Sequence, residues 1–287
     1  MLGKLLKYDM KFMARILLWV YLGGLGISVL CAAAMLLLPR RMDVFSEALF
    51  SLIPSLCYMA VYAIVIMTVV FFIVRVYRSL YSGEGYLTFT LPVKNGTIID
   101  SKIIVGAIWL ALSLIVCFIV IMIPDIASEI RYASESVPTE PGMELVYKAT
   151  TADIIRRIML WLNIITLVIF VPSLYVFCSA VTHRARRARA FASIGMFMGI
   201  LYGLFIIFTI ASIVITVTVY NHIDYSYGEN VISNMSTELP PSSQTAALIE
   251  EYLPVALLSA SWIILSAFTA ICWTVSKRIV NKKLNLQ

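Results

Sequence analysis

The chain has 287 residues, 61% of them hydrophobic and 13% charged, with a mean hydropathy of +0.93. That leaves too little polar surface to cover a water-soluble globule of this length, so a soluble enzyme or binding domain is excluded and an integral membrane protein is expected. The formal charge of +6 and the pI near 9.0 do not point to nucleic acid, because the basic residues gather at the ends of apolar runs, where they set orientation and meet anionic lipid.

Six runs carry no charged residue: 16–38, 53–74, 103–123, 158–181, 191–220 and 253–275. Each exceeds the roughly 20 residues that a helix rising ~1.5 Å per residue needs to cross ~30 Å of hydrocarbon. The predicted fold class is therefore an all-α membrane protein, a single transmembrane domain of six helices over residues 1–287. Sixteen of the 22 basic residues fall on one side if the amino terminus is cytosolic, among them Lys4, Lys7, Lys11, Arg15, Arg75, Arg78, Lys94 and Lys102, whereas only Asp9, Glu84 and Asp100 of the 16 acids do. That asymmetry predicts both termini in the cytosol of a multi-pass plasma-membrane protein.

In chain order, residues 1–15 place Lys4, Lys7 and Lys11 on one helical stripe with apolar residues around them, the pattern of an amphipathic interfacial helix. A basic flank that only fixes topology has the same composition. The run that follows is too long for a signal peptide and lacks a clean cleavage site, so a retained first span is expected. Its Gly23, Gly24 and Gly26, followed by Ala32 to Ala34, permit close helix approach. The second span carries Tyr58 and Tyr62, expected as lipid or packing contacts.

Past the third span, residues 124–155 are predicted as an acidic outer loop, with Glu129, Glu135, Glu140 and Glu144 forming a solvated face. Arg156 and Arg157 sit at the mouth of the fourth span, where arginines reach back to headgroups, and Pro172 is expected to kink that helix. The inner stretch THRARRARA reads as a topology anchor. In the fifth span Gly195, Gly199 and Gly203 recur every four residues on one face, a ridge for helix packing within the chain or for a subunit contact. Residues 221–252 form the last predicted outer loop, with room for a short helix at 245–252, and the sixth span ends in the basic KRIVNKK.

The five cysteines lie inside spans, with no CxxC or Cys/His spacing, so neither disulfides nor a metal is expected. No GxxxxGK[ST], HExxH or GxSxG occurs, and His183 and His222 fall on opposite predicted faces, so the chain is not expected to be an enzyme or to bind a cofactor itself. Ionisable groups are missing from the middle of every run, which argues against an ion-coupled transporter and for an apolar pathway powered from elsewhere.

Residues 75–102, RVYRSLYSGEGYLTFTLPVKNGTIIDSK, form the inter-span segment with the most distinctive sequence, and 78–101 are predicted as a cytosolic loop. Tyr86 and Phe89 on such a loop are exposed apolar area unless a partner or the inner headgroup layer covers them. The six-span layout with SGEGYLTFTLPVKNGTIIDSK between spans two and three resembles permease subunits of type-2 ATP-binding-cassette (ABC) exporters, in a subgroup common in Gram-positive bacteria. The layout matches over the whole chain, the motif over about 20 residues: an acid-Gly pattern at Glu84 and Gly85, then a Leu-x-Pro ending at Leu91 and Pro92. The resemblance implies a coupling helix docked on a separate ATPase subunit, with Glu84 and Gly85 at the turn, Tyr86, Leu87, Phe89 and Leu91 in apolar contact, and Pro92 ending the element. Phe89 stands where many members carry a second acid, so a salt bridge at that position does not carry over.

The resemblance further implies export of an amphipathic, peptide-like or lipid-like substrate, ATP and Mg held by the partner ATPase, and a second permease completing a dimer. The alternative is a non-transporting membrane interaction or regulatory protein, such as a sensor or immunity partner. Topology has its own test: Asn95 in NGT and Asn234 in NMS lie on opposite predicted faces, so in a eukaryotic membrane that keeps this orientation only Asn234 should gain a glycan. A glycan on Asn95, read by a gel shift, would overturn the map.

Overall fold

The computed structural model describes residues 2–37, 44–81, 95–135, 151–182, 189–231 and 241–284, all of them helical. In order they are α1 (Leu2–Leu37), α2 (Val44–Tyr81), α3 (Asn95–Glu135), α4 (Thr151–Thr182), α5 (Arg189–Val231) and α6 (Pro241–Leu284). Each contains a stretch long and apolar enough to cross a membrane. The helices run 32 to 44 residues, well past the roughly 20 that span hydrocarbon.

That excess corrects several boundaries read from hydropathy. Residues 1–15 do not form a separate interfacial helix among the described residues: Leu2 to Leu37 is unbroken. The predicted outer loop 124–155 is helical to Glu135 and again from Thr151, and the predicted loop 221–252 is helical to Val231 and again from Pro241, which absorbs the short helix expected at 245–252. The 78–101 loop also shrinks, since Arg78–Tyr81 close α2 and Asn95–Ser101 open α3. The reason is physical: polar residues end a membrane span, but a helix ends only where backbone bonding or geometry fails.

The chain divides into two compact units, Met1–Val146 with Lys277–Gln287, and Tyr147–Ser276. In the first, α1, α2 and α3 pack against one another. The buried stripe of α1 runs Asp9, Met13, Leu17, Tyr21, Gly24, Ser28, Cys31 and Met35, in steps of three and four. Its other face, including Leu18, Trp19, Leu22, Leu30 and Leu37, is exposed, as are Tyr58 and Tyr62 on α2, and hydrocarbon suits all of these. At Gly24 the helices approach so closely that an added Cβ would lie 2.6 Å from Ile64 Cδ1 and 4.0 Å from Val120 Cγ2, while Gly23 and Gly26 face open space.

Polar side chains join the same three helices. The Tyr21 hydroxyl lies 3.1 Å from Thr68 Oγ1 on α2 and donates to the Trp109 carbonyl of α3 at 3.3 Å, and Ser28 Oγ donates to the Val120 carbonyl at 2.8 Å. Contacts 9 with 75, 21 with 68 and 31 with 57 run in opposite sequence directions, so α1 and α2 are antiparallel; contacts 9 with 102, 21 with 109 and 28 with 120 make α1 and α3 parallel.

In the second unit α4 packs on α5, where Tyr175 and Phe197 meet edge-on with ring centroids 5.5 Å apart. A polar seam joins α4 to α6. Asn163 Nδ2 donates to the Leu258 carbonyl at 3.0 Å, Ser261 Oγ donates to Asn163 Oδ1 at 3.0 Å, and Trp262 Nε1 donates to Thr166 Oγ1 at 3.0 Å. Such bonds help hold helices together where lipid offers no hydrophobic force between them. The α4 helix continues through Pro172, which is buried.

Candidate functional site

The densest concentration of buried charge in the described residues lies in the first unit, near the start of α1, the end of α2 and the start of α3. Asp9, Arg75 and Lys102 are exposed by only 2%, 6% and 3%. Asp9 comes one turn before Met13 on the packing stripe of α1, so its carboxylate points where an apolar residue belongs. Arg75 occupies the corresponding depth on α2 because the two helices are antiparallel, and Lys102 does so on α3, seven residues into that helix.

The carboxylate is shared. Arg75 donates from Nε and Nη2 to Asp9 Oδ1, at 2.8 and 2.6 Å, and Lys102 Nζ donates to Oδ2. The Phe12 ring lies under the Arg75 guanidinium, 4.5 Å from centroid to Cζ, adding a cation–π contact from α1. Charge-assisted bonds of this kind are stronger away from water, and the desolvation they require is correspondingly large. Two residues before Lys102, Asp100 accepts from Lys277 Nζ at 2.9 Å, which brings the segment beginning at Lys277 to the same end of the unit. This pair is partly exposed and contributes less.

Seven of the residues singled out in the sequence, Glu84, Gly85, Tyr86, Leu87, Phe89, Leu91 and Pro92, lie outside the described residues, in the segment 82–94. The structure does place the residues that flank that segment. Tyr81 lies six residues beyond Arg75 and Asn95 lies seven before Lys102, each within about two helical turns of the shared carboxylate. Lys7 and Lys11 are exposed on α1, on the side away from Asp9, and the side chain of Lys4 is outside the described residues. Gly195, Gly199 and Gly203 share a face of α5, but a Cβ on any of them would meet nothing within 4 Å, so no described helix uses the ridge for close packing.

Sequence reasoning counted Asp9, Arg75 and Lys102 only as inner-side charges and did not bring them together. One signal was present: Asp9 is the lone acid among Lys4, Lys7, Lys11 and Arg15, and it falls in register with Met13, Leu17 and Tyr21 rather than with the lysines. Elsewhere, Arg156 Nη2 donates to Asp153 Oδ1 one turn earlier on α4, at 2.6 Å. No group of three or more His, Cys, Asp or Glu that could hold a metal forms among the described residues.

No protein-family model, curated protein or solved structure matches the chain.

Proposed function

We propose that the chain is the membrane-spanning permease subunit of an ABC exporter, moving an amphipathic, peptide-like or lipid-like substrate out of the cytosol on ATP hydrolysed by a separate subunit. Six helices able to cross a membrane supply the scaffold. The sequence SGEGYLTFTLPV supplies the docking element, with Tyr86 and Phe89 as its apolar anchors. The observation that carries the reading is that the helices on either side of this element, α2 before it and α3 after it, are both bonded to Asp9, so a force delivered to them meets one shared side chain.

In this reading the chain has no ATPase site of its own. ATP and Mg belong to the docked partner, a second permease completes the pore, and the protein resides in the plasma membrane. The ridge Gly195, Gly199 and Gly203 is open to such a second copy.

The test is association of full-length protein in nanodiscs with the ABC ATPases of the same genome, any encoded next to it first. Truncating an anchor at the centre of an interface costs about 2 kcal/mol, or about 30-fold, so Tyr86→Ala with Phe89→Ala should weaken binding by up to about 1,000-fold and abolish any change the permease causes in ATP hydrolysis. Unaltered association of the double variant would defeat the docking role. An ATPase that never binds wild-type protein would favour a non-transporting interaction or regulatory protein instead.

A further inference from the structure

The buried charges raise a question that packing does not answer. Apolar residues of similar volume in place of a buried ion group commonly leave stability unchanged or improve it. What charge can contribute at such a site, beyond stability, is direction. An apolar contact tolerates sliding, whereas Asp9 can meet Arg75 and Lys102 together only when α1, α2 and α3 are in one register.

The location gives that register a use. Arg75 and Lys102 are the buried charges that bracket 82–94, one on each side, and both converge on a single side chain of a third helix. A load applied between Tyr81 and Asn95 therefore reaches α1 through two separate bonds, one to each oxygen of the carboxylate. The Asp100–Lys277 pair adds a further tie two residues from Lys102.

We propose that Asp9 is the positioning residue of the docking segment: it latches the amino-terminal turns of α1 independently to the helix that enters 82–94 and to the helix that leaves it, making α1 the element that the segment drives. The identity of the load rests on the exporter reading above; the two-armed latch does not. Arg75 is the arm to α2 and Lys102 the arm to α3, and each can be opened without the other.

Spin-label distance measurements on the full chain in nanodiscs test this, after its native cysteines are replaced. One label pair is placed at Lys7 and Arg78, both exposed, and reports α1 against α2; a second at Lys7 and Thr97 reports α1 against α3. Arg75→Met should cost the first pair its narrow distance peak and leave the second unchanged. Lys102→Met should do the reverse. Asp9→Asn should broaden both, and the exchange Asp9→Arg with Arg75→Asp, which keeps one acid between two bases, should restore the first pair. A general loss of folding moves both pairs together in every variant, and that result, or narrow peaks throughout, overturns the latch. ATPase binding plays no part in the readout, so a failed association experiment and a failed latch are separate outcomes.

Discussion

Asp9→Asn is expected to destabilise the first unit by about 3–5 kcal/mol, more than either Arg75→Met or Lys102→Met, because it removes the negative charge that two buried cations share. Removing Arg75 leaves a neutral Asp9–Lys102 pair, and removing Lys102 leaves the two Arg75 bonds to Asp9 Oδ1, which Phe12 still supports. The ordering follows from one acid serving two bases. Replacing all three by apolar residues should recover most of the stability lost in Asp9→Asn, since none of the three charges then has to be desolvated. Reversible unfolding in mixed detergent, followed by helix signal, measures each step. If Asp9→Asn proves no worse than Arg75→Met, the carboxylate is not the shared counter-ion.

The same triad shows why the sequence discloses this fold unevenly. Hydropathy finds the six spans because a window of about 20 residues averages over everything except the cost of charge in lipid. It misplaces helix ends for the same reason: Asp125 to Glu135 and Ser242 to Glu251 are polar enough to leave the membrane yet contain nothing that stops a helix. The charge asymmetry grouped Asp9, Arg75 and Lys102 on one predicted side. Their bonds join residues 66 and 93 positions apart, and no local period encodes a partner at that distance.

What could be read locally was the packing stripe of α1, once Asp9 is placed on it with Met13, Leu17 and Tyr21. Reading Lys4, Lys7 and Lys11 as the organising stripe of that segment drew attention to the opposite face. The segment 82–94 stands out in the sequence for another reason. Its motif is a local string of residue types, so sequence can nominate Tyr86 and Phe89 even though they lie outside the described residues.

The glycines carry the last consequence. Gly195, Gly199 and Gly203 have the periodic spacing that favours close helix packing, whereas Gly24 stands beside two other glycines with no clear period. The structure reverses their ranking: Gly24 is where α1 meets Ile64 and Val120, and among the described residues a Cβ on the α5 ridge would meet nothing within 4 Å. An alanine at Gly24 need only displace the mobile end of Ile64, but the larger side chain of Gly24→Leu has to part α1 from α2, and overpacking of this kind destabilises by about 1–3 kcal/mol or more. Gly199→Leu should leave the unfolding of the isolated chain within about 0.5 kcal/mol of wild type, as expected for a substitution into open space. Paired detergent unfolding curves decide between the structural ranking and the periodic one: a Gly199→Leu loss equal to that of Gly24→Leu would mean that the α5 ridge is packed within the chain after all.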